Sequence, residues 1–163
     1  MIIKKVSTEY VEFDTIEELD IEHQDLMKQA SAACLDAYAP YSGFKVGAAV
    51  KCLDGRIVTG NNQENAAYPS GLCAERVAIF SAVSQKSDTK ISRIAIAVKT
   101  SNGDSYRPVA PCGACRQVIA EFEHRQGSKI EILFSAESGK TILIKGIDTL
   151  LPFTFNADYL PDK

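Results

Sequence analysis

Three cysteines and one glutamate carry the densest chemistry in this sequence. Cys73 and Glu75 stand two apart in "YPSGLCAERVAIF" (Tyr68 to Phe80), and Cys112 and Cys115 stand three apart in "PCGACRQV". Neighbours at i and i+3 share a helix face, so Cys112 and Cys115 can aim both sulfurs at one object. Alone, that pair reads equally as a redox dithiol whose first thiol is acidified by a helix N-terminus. A zinc ribbon needs a second such pair, and the chain offers the single Cys73 instead. Three thiolates leave the fourth position of a zinc ion open, the arrangement of a catalytic site rather than a closed structural one. Three negative sulfurs repel one another, but each helix start brings unpaired N–H groups and about half a positive charge. Zinc with three thiolates keeps a formal charge of −1 and acidifies water less than a three-histidine site does, so a neighbouring base is useful. Glu75 is placed to be that base, and Arg76 can donate hydrogen bonds to the sulfurs and draw off some of their charge. The plainer readings are a carboxylate at a helix N-terminus for Glu75 and a buried apolar set for the cysteines.

The elements that must position these residues follow from periodicity and punctuation. Ile21 to Pro40 places Leu26, Ala30, Ala33, Cys34, Ala37 and Tyr38 at helical spacing, with Pro40 as the stop. "FKVGAAVKCLDGRIVTGNN" predicts a hairpin: a strand from Val46 to Cys52, a turn at Asp54-Gly55, and a return from Arg56 to about Gly60. A helix is predicted from about Leu72 to Gln85, then a buried strand in "ISRIAIAVKT". "PCGACRQVIAEFEHRQG" has Pro111 before its start and Gly127 after its end, a punctuated helix. "KIEILFS" and "TILIKG" read as two more strands, followed by a helical turn and a tail, and "YVEF" near the start is one further possible strand. Strands and helices alternate around one core, which gives an α/β fold. Residues 1–20 read as an N-terminal extension and 21–163 as a single domain. Cys34 falls on an apolar helix face and Cys52 at a strand end, both filler positions, while His23 and His124 read as exposed helix residues. Gly43 and Gly47 read as serving backbone geometry.

Composition removes several classes of function. The 163 residues are 45% hydrophobic and 24% charged, ordinary for a globular protein, and no apolar run approaches the length that crosses a bilayer. No signal-peptide pattern is read at the start. The net charge is −3 and no basic stripe is present, which disfavours a long polyanion as partner. Five cysteines, an odd number, point to reduced thiols in a cytosol and to metal binding or catalysis over a disulfide framework.

C-A-E followed by P-C-x-x-C is the pattern of the zinc-dependent nucleobase deaminases in their three-cysteine form. With "YAPYSGFKVGAAV", "NNQENAAYPSGLCAERVAIF" and "LLPFTF", the chain resembles the small homotetrameric cytidine deaminases of pyrimidine salvage from about residue 22 onward. The resemblance implies a three-layer α/β/α arrangement around a mixed sheet of about five strands. It implies a hydrolase acting on the C–N bond of a cyclic amidine, with cytidine and deoxycytidine as substrates, ammonia released, and one zinc per subunit on Cys73, Cys112 and Cys115. Glu75 would shuttle protons: it takes one from water, the resulting hydroxide attacks C4 of the ring, and the same carboxyl protonates N3 and later the departing amine. Asn62 and Glu64 would grip the ribose 3′-hydroxyl, Phe44 would pack on the pyrimidine, and the Ala74 backbone would bond the base carbonyl. Ala66, Tyr68 and Phe155 would reach a neighbouring subunit's pocket of a cytoplasmic homotetramer. Without the resemblance, Asn62 and Glu64 would be ordinary loop residues, and Phe44 and Phe155 core or subunit-contact residues. Gln63 departs from the family's usual aliphatic residue; the bulky "LPFTF" leaves both Phe153 and Phe155 as candidates to face the base, and alignment favours Phe155. An antibiotic-nucleoside deaminase shares C-A-E and P-C-x-x-C-R-Q, but "NQEN" and the YPSG spacing favour cytidine. The intact Glu75 argues against a silent zinc scaffold, Cys73 with Glu75 argues against a thiol oxidoreductase, and the acidic charge balance with the lack of an extended substrate loop argues against a nucleic-acid editor.

Overall fold

The computed structural model describes residues 1–100 and 107–161. In chain order these hold strand β1 (Val11–Phe13), helix α1 (Ile21–Ala33), strands β2 (Phe44–Cys52) and β3 (Ile57–Asn61), helix α2 (Ala74–Gln85), strand β4 (Ile91–Thr100), helix α3 (Gly113–Gln126), and strands β5 (Glu131–Ser135) and β6 (Thr141–Lys145). The strands form one sheet in the order β1-β6-β5-β4-β2-β3, with β4 and β5 parallel and every other pair antiparallel.

Period-two alternation in the strands decides which helix each face meets. Ala48, Val50, Ile94, Ile96, Ile132 and Phe134 pack with Ala78 and Ile79 of α2 and Ile119 and Phe122 of α3. The residues between them, Ala49, Ala95, Ala97 and Leu133, pack with Leu26, Met27 and Ala30 of α1. The result is a three-layer α/β/α arrangement, as expected, with six strands rather than about five. The sixth is β1, within the "YVEF" stretch read as a possible strand, which pairs Val11 with Leu143 at the sheet edge while Glu12 meets Lys140.

Local chemistry sets the element ends. Asp20 caps α1 by accepting the His23 N–H at 3.0 Å. α1 ends at Ala33, earlier than Pro40 suggested, and Cys34–Asp36 tightens into a 3-10 turn. Gly127, at φ 67°, ends α3 in the left-handed conformation and bonds back to the Glu123 and His124 carbonyls. Two glycines let helices approach strands at backbone distance. A Cβ at Gly47 would collide with the Ala30 carbonyl of α1, and one at Gly60 would lie 2.5 Å from the Ala78 nitrogen of α2.

His23 is not exposed, contrary to the sequence expectation. The first turn of α1 lies over the start of β5, so the imidazole is buried with Nδ1 2.6 Å from Asp20 and Nε2 3.3 Å from Glu131. His124 is exposed, as expected, near Asp158 at 3.7 Å. Cys34 and Cys52 are both buried.

Candidate active site

Two helix starts converge. Cys73 is the N-cap of α2 and Cys112 the N-cap of α3, both in extended conformation, and neither side chain makes a capping hydrogen bond. The helix therefore begins at Ala74 rather than Leu72. With both thiols uncommitted as caps, neither helix start has its first N–H groups satisfied by its N-cap side chain. Cys73 Sγ lies 3.7 Å from Cys112 Sγ, which lies 3.6 Å from Cys115 Sγ, and all three fall within 4.8 Å of one another. A tetrahedral zinc with bonds of about 2.3 Å has sulfur–sulfur edges near 3.8 Å, so this donor set fits the ion.

The charges around the sulfurs agree with that fit. Arg76 Nη2 donates to Cys73 Sγ at 3.5 Å. Its Nε is the one buried side-chain nitrogen or oxygen without a partner among the described residues, a donor kept beside the thiolate cluster. Hydrogen bonding from Cys115, with help from Arg76 and Cys112, holds the Cys73 thiol down to about 5. The same pairing and burial push the Cys115 thiol up. Glu75 is buried, and loss of water raises its carboxyl above the usual range, a state suited to taking up and releasing a proton. Arg116 braces the metal-side loop: its Nε donates to the Pro111 carbonyl at 2.8 Å and its Nη1 to the Leu150 carbonyl at 3.1 Å.

Cys73, Glu75, Arg76 and Cys112 open onto a cavity of about 600 Å³, large enough for a nucleoside-sized ligand. Phe44, Asn62, Glu64 and Tyr68 line the same cavity. Asn62 is already committed to the backbone of β2. Its Oδ1 accepts from the Val46 N–H at 2.7 Å and its Nδ2 donates to the Phe44 carbonyl at 2.9 Å, which leaves one amide hydrogen for a ligand. Glu64 accepts from the residue 41–42 turn, and the Ser42 hydroxyl and backbone N–H groups keep its carboxyl below the ordinary range. Ala74 is fully buried behind Cys73. Ala66 and Phe155 are not part of the lining. The Phe155 ring is exposed and stacks on Tyr159 at 5.8 Å, and its carbonyl accepts from Gln117 at 2.7 Å. Phe153 is more exposed still. Tyr68, linked by resemblance to a neighbour's pocket, lines this chain's own and meets Tyr41 edge-on at 6.1 Å.

Tyr41, Ser42, Val109 and Ala110 also line the cavity and were not singled out from the sequence. For Tyr41 and Ser42 a signal existed: "APYSGF" is a turn written in proline, serine and glycine directly before Phe44. Val109 and Ala110 carry no such signal, because two small apolar residues before Pro111 look like any loop.

Fold and site together define a class: α/β/α proteins with a three-thiolate metal centre at convergent helix starts and a buried carboxyl beside it. The model of the cytidine and deoxycytidylate deaminase zinc-binding region matches residues 20–128. A cytidine deaminase of Halalkalibacterium halodurans is 49% identical over 101 residues, 62% of this chain and 72% of that protein. One from Mycobacterium tuberculosis is 36% identical over 142 residues, 87% of this chain and 96% of its own length. The crystal structure of cytidine deaminase from Burkholderia pseudomallei superposes with a TM-score of 0.71 at 39% identity, covering 82% of this chain and 98% of that one. The chain belongs to the cytidine and deoxycytidylate deaminase family.

Proposed function

We propose that this chain hydrolyses cytidine and deoxycytidine to uridine and deoxyuridine with release of ammonia, using one zinc per subunit held by Cys73, Cys112 and Cys115. The observation that carries the reading is the buried Glu75 carboxyl opening onto the same cavity as Cys73 and Cys112. When bound, zinc supplies the Lewis acidity that makes water a nucleophile near neutral pH. Glu75 accepts a proton from the attacking water and delivers it to N3 as C4 becomes tetrahedral. The same carboxyl then takes the proton of the new C4 hydroxyl and hands it to the amine, which leaves as ammonia while C4 becomes a carbonyl, so one water enters and one ammonia departs per turnover. Phe44 packs on the pyrimidine, the Ala74 backbone meets the base carbonyl, and Asn62 and Glu64 hold the ribose. Arg76 tempers the sulfurs by the hydrogen bond to Cys73.

Residues 21–163 serve as the catalytic domain and 1–20 as an N-terminal extension whose Val11–Phe13 joins the sheet edge. A cytoplasmic location is supported by the five unpaired cysteines. Assembly as a homotetramer with shared pockets, to which Ala66, Tyr68 and Phe155 contribute, is supported by the exposed rings of Tyr68, Phe153 and Phe155.

The direct test is zinc content together with loss of the cytidine absorbance band, in wild type and Glu75→Gln. About one zinc per chain is expected in both proteins, with turnover in the variant down at least ~100-fold. Wild-type protein that carries zinc yet leaves both nucleosides untouched would overturn the substrate assignment.

A further inference from the structure

Glu64 is tied to the turn before β2 in a way that the reaction itself does not require. Its Oε2 accepts the Tyr41 N–H at 2.9 Å and the Ser42 N–H at 3.3 Å. Its Oε1 accepts the Ser42 hydroxyl at 2.5 Å, and that hydroxyl oxygen in turn accepts the Phe44 N–H at 3.0 Å. Gly43, at φ 65°, lies in the left-handed region, and its reversal lets the N–H groups of residues 41, 42 and 44 converge on one carboxylate and one hydroxyl. Ser42, Phe44 and Glu64 all line the cavity.

We propose that Ser42 is a positioning residue for substrate recognition, locking the Glu64 carboxylate as an oriented acceptor for a sugar hydroxyl; this rests on the nucleoside reading above. An ionised carboxylate only accepts, and it offers about four lone-pair sites. Three are filled here, two of them by Ser42, so one site on Oε1 remains for a ligand donor. Without the hydroxyl, Oε1 has no protein donor and only the two backbone N–H bonds on Oε2 hold the carboxylate, which can then swing about that oxygen, a freedom that binding must remove. The relay from the Phe44 N–H through Ser42 to Glu64 also polarises each bond in line and joins the sugar contact to the residue placed on the base.

A merely structural turn cap would alter stability or activity without regard to which sugar is bound. The test therefore reads a ratio: kcat/KM for cytidine over kcat/KM for 3′-deoxycytidine, which lacks the hydroxyl. In Ser42→Ala the ratio is expected to fall about ten-fold through KM, the size of one hydrogen bond to a charged group. In Ser42→Thr, which keeps the hydroxyl at this exposed position, it stays within about two-fold of wild type. The isosteric pair Ser42→Thr and Ser42→Val differs only in the hydroxyl and gives the same comparison if Ser42→Ala folds poorly. A ratio unchanged between the hydroxyl-bearing and hydroxyl-free variants overturns the positioning role while leaving the deaminase reading intact. Wild-type protein that converts neither nucleoside overturns that reading and this one with it.

Discussion

Cys73 meets two demands at once. As the N-cap of α2 it adopts the extended conformation that starts a helix, yet its sulfur makes no capping bond and instead meets Cys112 and the Arg76 side chain. A serine or aspartate there would cap better and bind zinc worse. Removing the sulfur leaves two ligands, too few for a tight site. Cys73→Ala is expected to hold well under half of the wild-type zinc and to lose cytidine turnover at least ~100-fold. Metal analysis and the absorbance assay on the same preparation check this. Full zinc with full activity in the variant would remove Cys73 from the site.

The elements matter because the site lies on two helix starts rather than on a loop. Their placement depends on how closely α2 is pressed to the sheet. Gly60 of β3 permits that approach: an added Cβ would lie 2.5 Å from the Ala78 nitrogen and 2.8 Å from the Ala74 carbonyl, both backbone atoms of α2. Backbone cannot give way as a flexible side chain can, so Gly60→Ala must push α2 outward from its first turn. The expected cost is about 1–3 kcal/mol, the usual range for overpacking. Zinc affinity should fall as well, since Cys73 moves with the helix start while Cys112 and Cys115 stay on α3. Thermal unfolding of the zinc-loaded protein and competition with a chelator measure the two effects separately.

Across the whole molecule, one charged network ties three elements at the edge of the α1 layer. Glu131 of β5 meets Arg93 of β4 at 2.8 Å and His23 of α1 at 3.3 Å, and Arg93 also pairs with Glu22. Burial alone would raise the Glu131 carboxyl, but the hydrogen bonds from Arg93 and His23 bring it below its ordinary value; the backbone N–H of His23 does the same for Asp20. A carboxyl held down in the folded state adds stability that is present above its unfolded value, about 4, and is lost as pH falls through the folded value. Wild-type protein should therefore lose thermal stability below about pH 5, and Glu131→Gln should show a flatter acid limb between about pH 5 and 3. An acid limb of equal slope in both would mean the network contributes nothing. At the scale of assembly, light scattering is expected to give a homotetramer. An active monomer would sink the shared-pocket proposal and leave the exposed Phe153 and Phe155 rings without a role.

By itself the sequence determined the α/β class, most of the elements and the candidate donor set. Alternation such as Ile94-Ala95-Ile96-Ala97 divides a strand between two cores, and Pro111 with Gly127 brackets α3, because such signals act between near neighbours. Cys112 and Cys115 were readable as a pair for the same reason. Only the tertiary structure brought Cys73 to Cys112, 39 residues away, because that meeting depends on α2 and α3 packing on the same face of the sheet. It also buried His23 against Glu131, 108 residues distant, and hung Glu64 on the turn at Ser42. Contacts of that kind follow from strand order and helix placement, which no local period encodes.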